Sequence, residues 1–184
     1  KAKAVFATEI ENLNKAIAEE AKKRNETFKA ENAAKYPNAI QTESGLLYIH
    51  TIVGEGDFPK KGDQVELHYT GYLPDGTQFE SSHDRGQAFK FEYEVQGILP
   101  GWQEAIGLMK SGGEMKLIMP PWLGFGAQGK GAIPPNATLT FDLEVVSIKD
   151  LAAEIKKLSV TFKEEMLKTY PKAIQTETGL MYFI

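Results

Sequence analysis

The sequence predicts an α+β fold. Three observations carry that expectation: five segments with strand chemistry, one short amphipathic helix among them, and Lys/Glu-rich helical stretches on either side. The strand segments are 46–53, 64–72, 88–93, 113–119 and 138–148. Each is rich in β-branched or aromatic residues, or alternates apolar with polar ones. A chain of 184 residues can hold one sizeable domain with accessory helices.

In chain order, Phe6, Ile10, Leu13, Ile17 and Ala21 mark one apolar helical face, with Lys, Glu and Asn around the rest. This helical extension is expected over 1–40, with Pro37 stopping it, because the residue before a proline is driven out of the α basin. A domain over 41–149 follows. HYTGYLPDGTQF (68–79) reads as a β-hairpin with aromatics on both arms. In its turn Pro74 presets φ and Gly76 supplies the permissive position. Trp102, Ile106 and Met109 fall at i, i+4, i+7, so 100–110 reads as a short helix opened by Pro100. Leu151, Ile155, Leu158 and Phe162 then repeat the helical spacing, giving a linker helix over 150–170 that stops at Tyr170-Pro171.

That second ending copies the first. YPNAIQTESGLLYI (36–49) returns as YPKAIQTETGLMYF (170–183) with ten of fourteen positions identical, and Thr27-Phe28-Lys29 returns as Thr161-Phe162-Lys163 at the same offset. The unit is a helix, a Tyr-Pro break and a leading strand. Residues 171–184 are then the leading strand of a truncated second repeat. The parent is expected to be a tandem array, of which this chain, starting at Lys1 rather than Met, is a piece. A leading strand without partners leaves an open edge, so 173–184 are expected to be disordered or to self-pair with a neighbouring molecule.

Composition narrows the function. The apolar fraction of 42% and charged fraction of 25% are ordinary globular values. A net charge of −4 argues against nucleic acid or an anionic membrane as partner. With no cysteine there is neither a disulfide framework nor thiolate chemistry. No apolar run approaches the roughly 18 residues of a membrane span. The missing secretion signal leans weakly toward a cytoplasmic location. His50, His68 and His83 lack metal-ligand spacing, and GFGAQGKG lacks the GK[ST] ending of a phosphate loop. No metal and no cofactor are expected.

What remains is aromatic. HYTGYLPDGTQF, GILPGWQEAIGLM (97–109), PPWLGFG (120–126) and AIPPNATLTFDLEV (132–145) supply ring after ring and no visible nucleophile. From about Gly45 to Ile148 the chain resembles the FKBP-type peptidyl-prolyl cis-trans isomerases, the macrolide-binding immunophilins. The resemblance implies a curved antiparallel sheet wrapped around the short helix, with an aromatic pocket between them. It puts Trp102 on the pocket floor, Tyr69, Phe89 and Phe141 in the walls, and Ile98 and Leu99 at the rim. Phe79 lies on the second hairpin arm, Phe125 on the loop before AQGKG, and Ile133 closes the far side. The Leu99 N–H would donate to a ligand carbonyl, and Tyr69 would offer a phenol donor at the pocket edge. The implied activity is acceleration of X–Pro rotation in proline-containing, partly unfolded polypeptides, without cofactor.

Two positions depart from the family pattern. An Asp usually follows the hairpin phenylalanine and pairs with the arginine of a DR segment; here the pair is Glu80 and Arg85. A tyrosine is usual at Phe125. Its missing hydroxyl removes a ligand hydrogen bond worth about 0.5–1.5 kcal/mol, so weaker macrolide binding is expected while the dry wall survives. Both departures lean toward an alternative, a proline-binding chaperone or adaptor with weak or no isomerase activity. A third reading makes the helices an oligomerisation device. Their stripes lack sustained heptads, and packing on the domain accounts for them as well.

Overall fold

Val65, Leu67, Tyr69 and Gly71 alternate with polar neighbours, so β3 (Gln64–Tyr72) buries one face along its whole length. The same logic turns Met115, Leu117 and Met119 of β6 (Glu114–Met119) inward, with Leu139, Phe141, Leu143 and Val145 of β7 (Leu139–Lys149). These strands come from a computed structural model that describes residues 2–95, 97–170, 174, 175, 181 and 182.

The three join β1 (Ile40–Gln41), β2 (Leu47–Ile52), β4 (Gln78–Ser81) and β5 (Phe89–Glu92) in one antiparallel sheet. Its order is β1-β2-β6-β7-β3-β4, with β5 also on β3. Register shifts at Glu66/Leu67, Gly71/Tyr72 and His50/Ile52 mark bulges, which bend a sheet and strengthen its twist. On the inward face lies α2 (Pro100–Gly107), whose Trp102, Ala105 and Ile106 join the core of Leu67, Leu117 and Leu143. The sequence-predicted helix to Lys110 is three residues shorter. Leu108 and Met109 bond back to the carbonyls of Ala105 and Ile106, tightening the last turn.

At Gly71 a side chain has no room. A Cβ there would lie 2.7 Å from Phe79 and 2.8 Å from Phe141. The bare backbone lets those two rings meet edge to face, with centroids 5.8 Å apart.

The long first helix, α1 (Ala2–Asn32), ends five residues before Pro37, where Asn32 Nδ2 donates to the Phe28 carbonyl at 2.9 Å. Its apolar stripe is uncovered: Phe6, Ile10, Leu13 and Ile17 are 57–65% exposed. Packing on the domain therefore does not account for it. The reason is length. At 1.5 Å per residue the helix runs about 46 Å, whereas a six-residue strand such as β2 spans about 20 Å.

Only the last turns of α1 dock. Phe28 joins Leu47 and Ile118 on the reverse face of the sheet and meets the Trp122 ring edge to face at 5.4 Å. Asn25 Nδ2 donates to the Glu43 carbonyl and Gln41 Nε2 to the Asn25 carbonyl, each at 2.8 Å.

The C-terminal helix α3 (Leu151–Thr169) is capped by Asp150, whose carboxylate accepts from the Ala153 N–H at 2.8 Å. It stops just before Tyr170-Pro171, as the Tyr-Pro break predicts. Ile155, Leu158 and Phe162 are 57–66% exposed, so this stripe also faces solvent.

Beyond it, β8 (Ile174–Gln175) pairs antiparallel with β9 (Met181–Tyr182). The register is that of the first copy: Ile174↔Tyr182 and Gln175↔Met181 reproduce Ile40↔Tyr48 and Gln41↔Leu47. Where a single leading strand is expected over 171–184, the described residues thus form two short strands that pair with each other within the chain. Pro171 and the other expected elements of 171–184 lie outside the described residues. Among those described, no helix is long and apolar enough to cross a membrane.

Candidate functional site

Pro100 opens α2 at its first turn, and the Leu99 carbonyl accepts from the N–H groups of Trp102 and Gln103 at 2.9 and 3.0 Å. This start fixes Trp102 beneath a cavity of about 380 Å³ between the helix and the sheet. Phe79, Glu80, Phe89, Ile98, Leu99, Trp102, Phe125 and Phe141 all line it.

The rings brace one another. Trp102 lies 5.3 Å from Phe141 at 84° and 6.2 Å from Phe89 at 64°. Edge-to-face contacts of this kind hold aromatic walls at fixed angles. The Trp102 indole N–H is buried and has no acceptor among the described residues. Nor does the Leu99 N–H at the rim donate to any described residue.

Tyr69, Arg85 and Ile133 are not among the lining residues. Tyr69 stands behind Trp102, with ring centroids 4.6 Å apart, and only 6% of its surface is exposed. Its hydroxyl donates to Glu80 Oε1 at 2.8 Å and accepts from Arg85 Nη2 at 2.8 Å. Arg85 Nη1 closes the triangle on the same Glu80 oxygen, again at 2.8 Å. The longer acid therefore reaches the guanidinium.

Burial pushes the Tyr69 phenol above its ordinary value; Glu80 adds to the rise and Arg85 opposes it. Arg85 is raised in turn, first by its hydrogen bond to Tyr69. Ile133 is buried in the core, and its backbone exchanges hydrogen bonds with Lys130 at 2.9 and 3.0 Å. That exchange pins the loop after Phe125.

Three further residues line the cavity that the sequence assigns no site role: Gly97, Pro100 and Lys130. Gly97 and Pro100 flank named rim residues and were legible from GILPGW. Lys130 carried no local signal, because only the loop closure with Ile133 brings it to the pocket.

The arrangement offers rings, the Leu99 N–H, the Lys130 ammonium and one acid, Glu80, that is already paired with Arg85. It suits holding an apolar ring and a carbonyl, not breaking a bond.

Residues 55–146 match the family model described as FKBP-type peptidyl-prolyl cis-trans isomerase. The chain is 44% identical over 133 residues to a probable FKBP-type peptidyl-prolyl cis-trans isomerase of Haemophilus influenzae, covering 72% of this chain and 54% of that protein. It is 41% identical over 107 residues to the peptidyl-prolyl cis-trans isomerase Fkbp12 of Drosophila melanogaster, covering 57% of this chain and 99% of that one. The crystal structure of FkpA from Escherichia coli superposes with a TM-score of 0.61 at 34% identity, covering 80% of this chain and 70% of the other. The chain spans about half the length of the bacterial curated relatives it matches.

Proposed function

Because the chain belongs to the FKBP-type peptidyl-prolyl cis-trans isomerase family, we propose that it accelerates X–Pro rotation in proline-containing polypeptides, using the slot over Trp102. The observation that carries this reading is a ring-walled cavity whose floor sits at the start of α2 and whose rim presents a Leu99 N–H that donates to no described residue.

The chemistry follows from the amide. Resonance sets a barrier of about 18–20 kcal/mol, and unaided rotation takes tens to hundreds of seconds. The planar amide is more polar than the twisted one, so water favours the ground state. A dry slot of Trp102, Phe89, Phe79, Phe125 and Phe141 removes that advantage, and the Leu99 N–H steers the carbonyl. Tyr69, Glu80 and Arg85 hold the wall behind Trp102 in place. Macrolide inhibitors would enter the same slot with reduced affinity, because Phe125 offers no hydroxyl.

A protease-coupled isomerisation assay on the unmodified chain, Trp102→Leu and Phe125→Tyr tests this. Acceleration that falls at least tenfold in Trp102→Leu is expected, with Phe125→Tyr equal to or above the parent. No acceleration by either the parent or Phe125→Tyr, beside a folded far-UV spectrum, would overturn it.

The repeat supports a further part of the reading. Residues 151–184 would be the lead unit of a second domain, with β9 offering its outer edge to the strand that β6 provides in the first copy, or to a neighbouring molecule by self-pairing. Appending a second copy of residues 51–150 after Ile184 is expected to add a second cooperative unfolding unit. A disordered appendage in the amide spectrum would count against it.

A further inference from the structure

The charges around the slot are unequal. Two charged side chains line it, Glu80 and Lys130. Glu80 is already answered by Arg85 and also accepts from Tyr69. Lys130 has no carboxylate partner among the described residues; its ammonium instead stands 5.7 Å over the Phe125 ring.

Its backbone is not loose. Gly129 has φ +65 and leaves no room for a Cβ, which would lie 2.3 Å from the Ile133 carbonyl oxygen. The paired Lys130–Ile133 hydrogen bonds close the loop directly behind it. A cation on a fixed backbone, with no carboxylate partner among the described residues, therefore stands in the wall of the slot.

We propose that Lys130 is a specificity-determining residue, selecting proline segments that carry a carboxylate on a residue beside the proline. The inference rests on the isomerase reading for the slot and adds the substrate class. A flanking Asp or Glu would meet the ammonium at the rim while the ring lies on Trp102. A flanking Lys or Arg would be repelled there.

The test uses peptides that differ only in Glu, Gln or Lys at the position before or after proline, so that shape is held and charge varied. For the full chain the Glu-to-Gln ratio of kcat/KM is expected at about two- to fivefold at low salt, the range of a partly exposed ion pair. It should decline toward unity as salt is added. Lys130→Ala should bring the ratio to one, Lys130→Arg should retain it, and Lys130→Glu should favour the Lys peptide. A Glu-to-Gln ratio near one in the unmodified chain, or one that Lys130→Ala leaves untouched, overturns the proposal. Absence of turnover with every peptide would sink the isomerase reading instead. Binding of the same peptides, followed by tryptophan fluorescence, would still read the charge preference.

Discussion

The Tyr69 hydroxyl donates a hydrogen bond to Glu80 while accepting one from Arg85, so a hydroxyl that the sequence would offer to a ligand is engaged inside the wall. The family resemblance implied that Glu80 and Arg85 would pair. It did not show that one carboxylate oxygen would serve both partners. The state of the phenol can be measured. Tyr69 and Tyr93 are both pushed above the ordinary tyrosine value, chiefly by burial. Below about pH 10 both are protonated folded or unfolded, and their contribution to stability is intact. As pH rises past that point the unfolded chain releases these protons first, so stability declines until the native groups also ionise. An ultraviolet titration should show native tyrosines ionising later than in denaturant, and Tyr69→Phe should soften the alkaline loss of stability. A native titration that overlays the denatured one would contradict this.

Among the elements, one tripeptide meets two fates. Thr27-Phe28-Lys29 and Thr161-Phe162-Lys163 are identical, yet Phe28 is 5% exposed against Trp122 and Phe162 is 57% exposed. Phe28→Ala should therefore cost about 3–5 kcal/mol in urea unfolding. Phe162→Ala should change stability by no more than about 0.5 kcal/mol. Equal losses at the two sites would show that α3 is buried in solution. The pair also marks where sequence reading stops. Helical period reveals that a face exists, but what covers it depends on residues far away, here Trp122, Leu47 and Ile118. Strand β3 was legible end to end because alternation is local. The two-residue strand β1 was not, being too short to alternate. Trp102, Phe89 and Phe141 were named from the family resemblance, whereas Tyr69 stands behind the wall and Lys130 needed the closure of its loop by Ile133.

Across the whole molecule, β3 lies between β7 and the β4 and β5 strands, with Gln64 opposite Lys149 at one end and Tyr72 opposite Thr140 at the other. The slot draws Phe79 and Phe89 from one side of that pairing and Phe125 and Phe141 from the other. Joining β3 to β7 means closing a chain segment of nearly seventy residues before any contact rewards it. Topologies ruled by such distant pairings fold in milliseconds to seconds, far slower than helical bundles. Helix α2, at eight residues, is marginal on its own, and Trp102 gains its walls only when the two ends of the domain meet. Over that interval, the chain is itself a proline-bearing, partly unfolded polypeptide of the kind proposed as its own substrate.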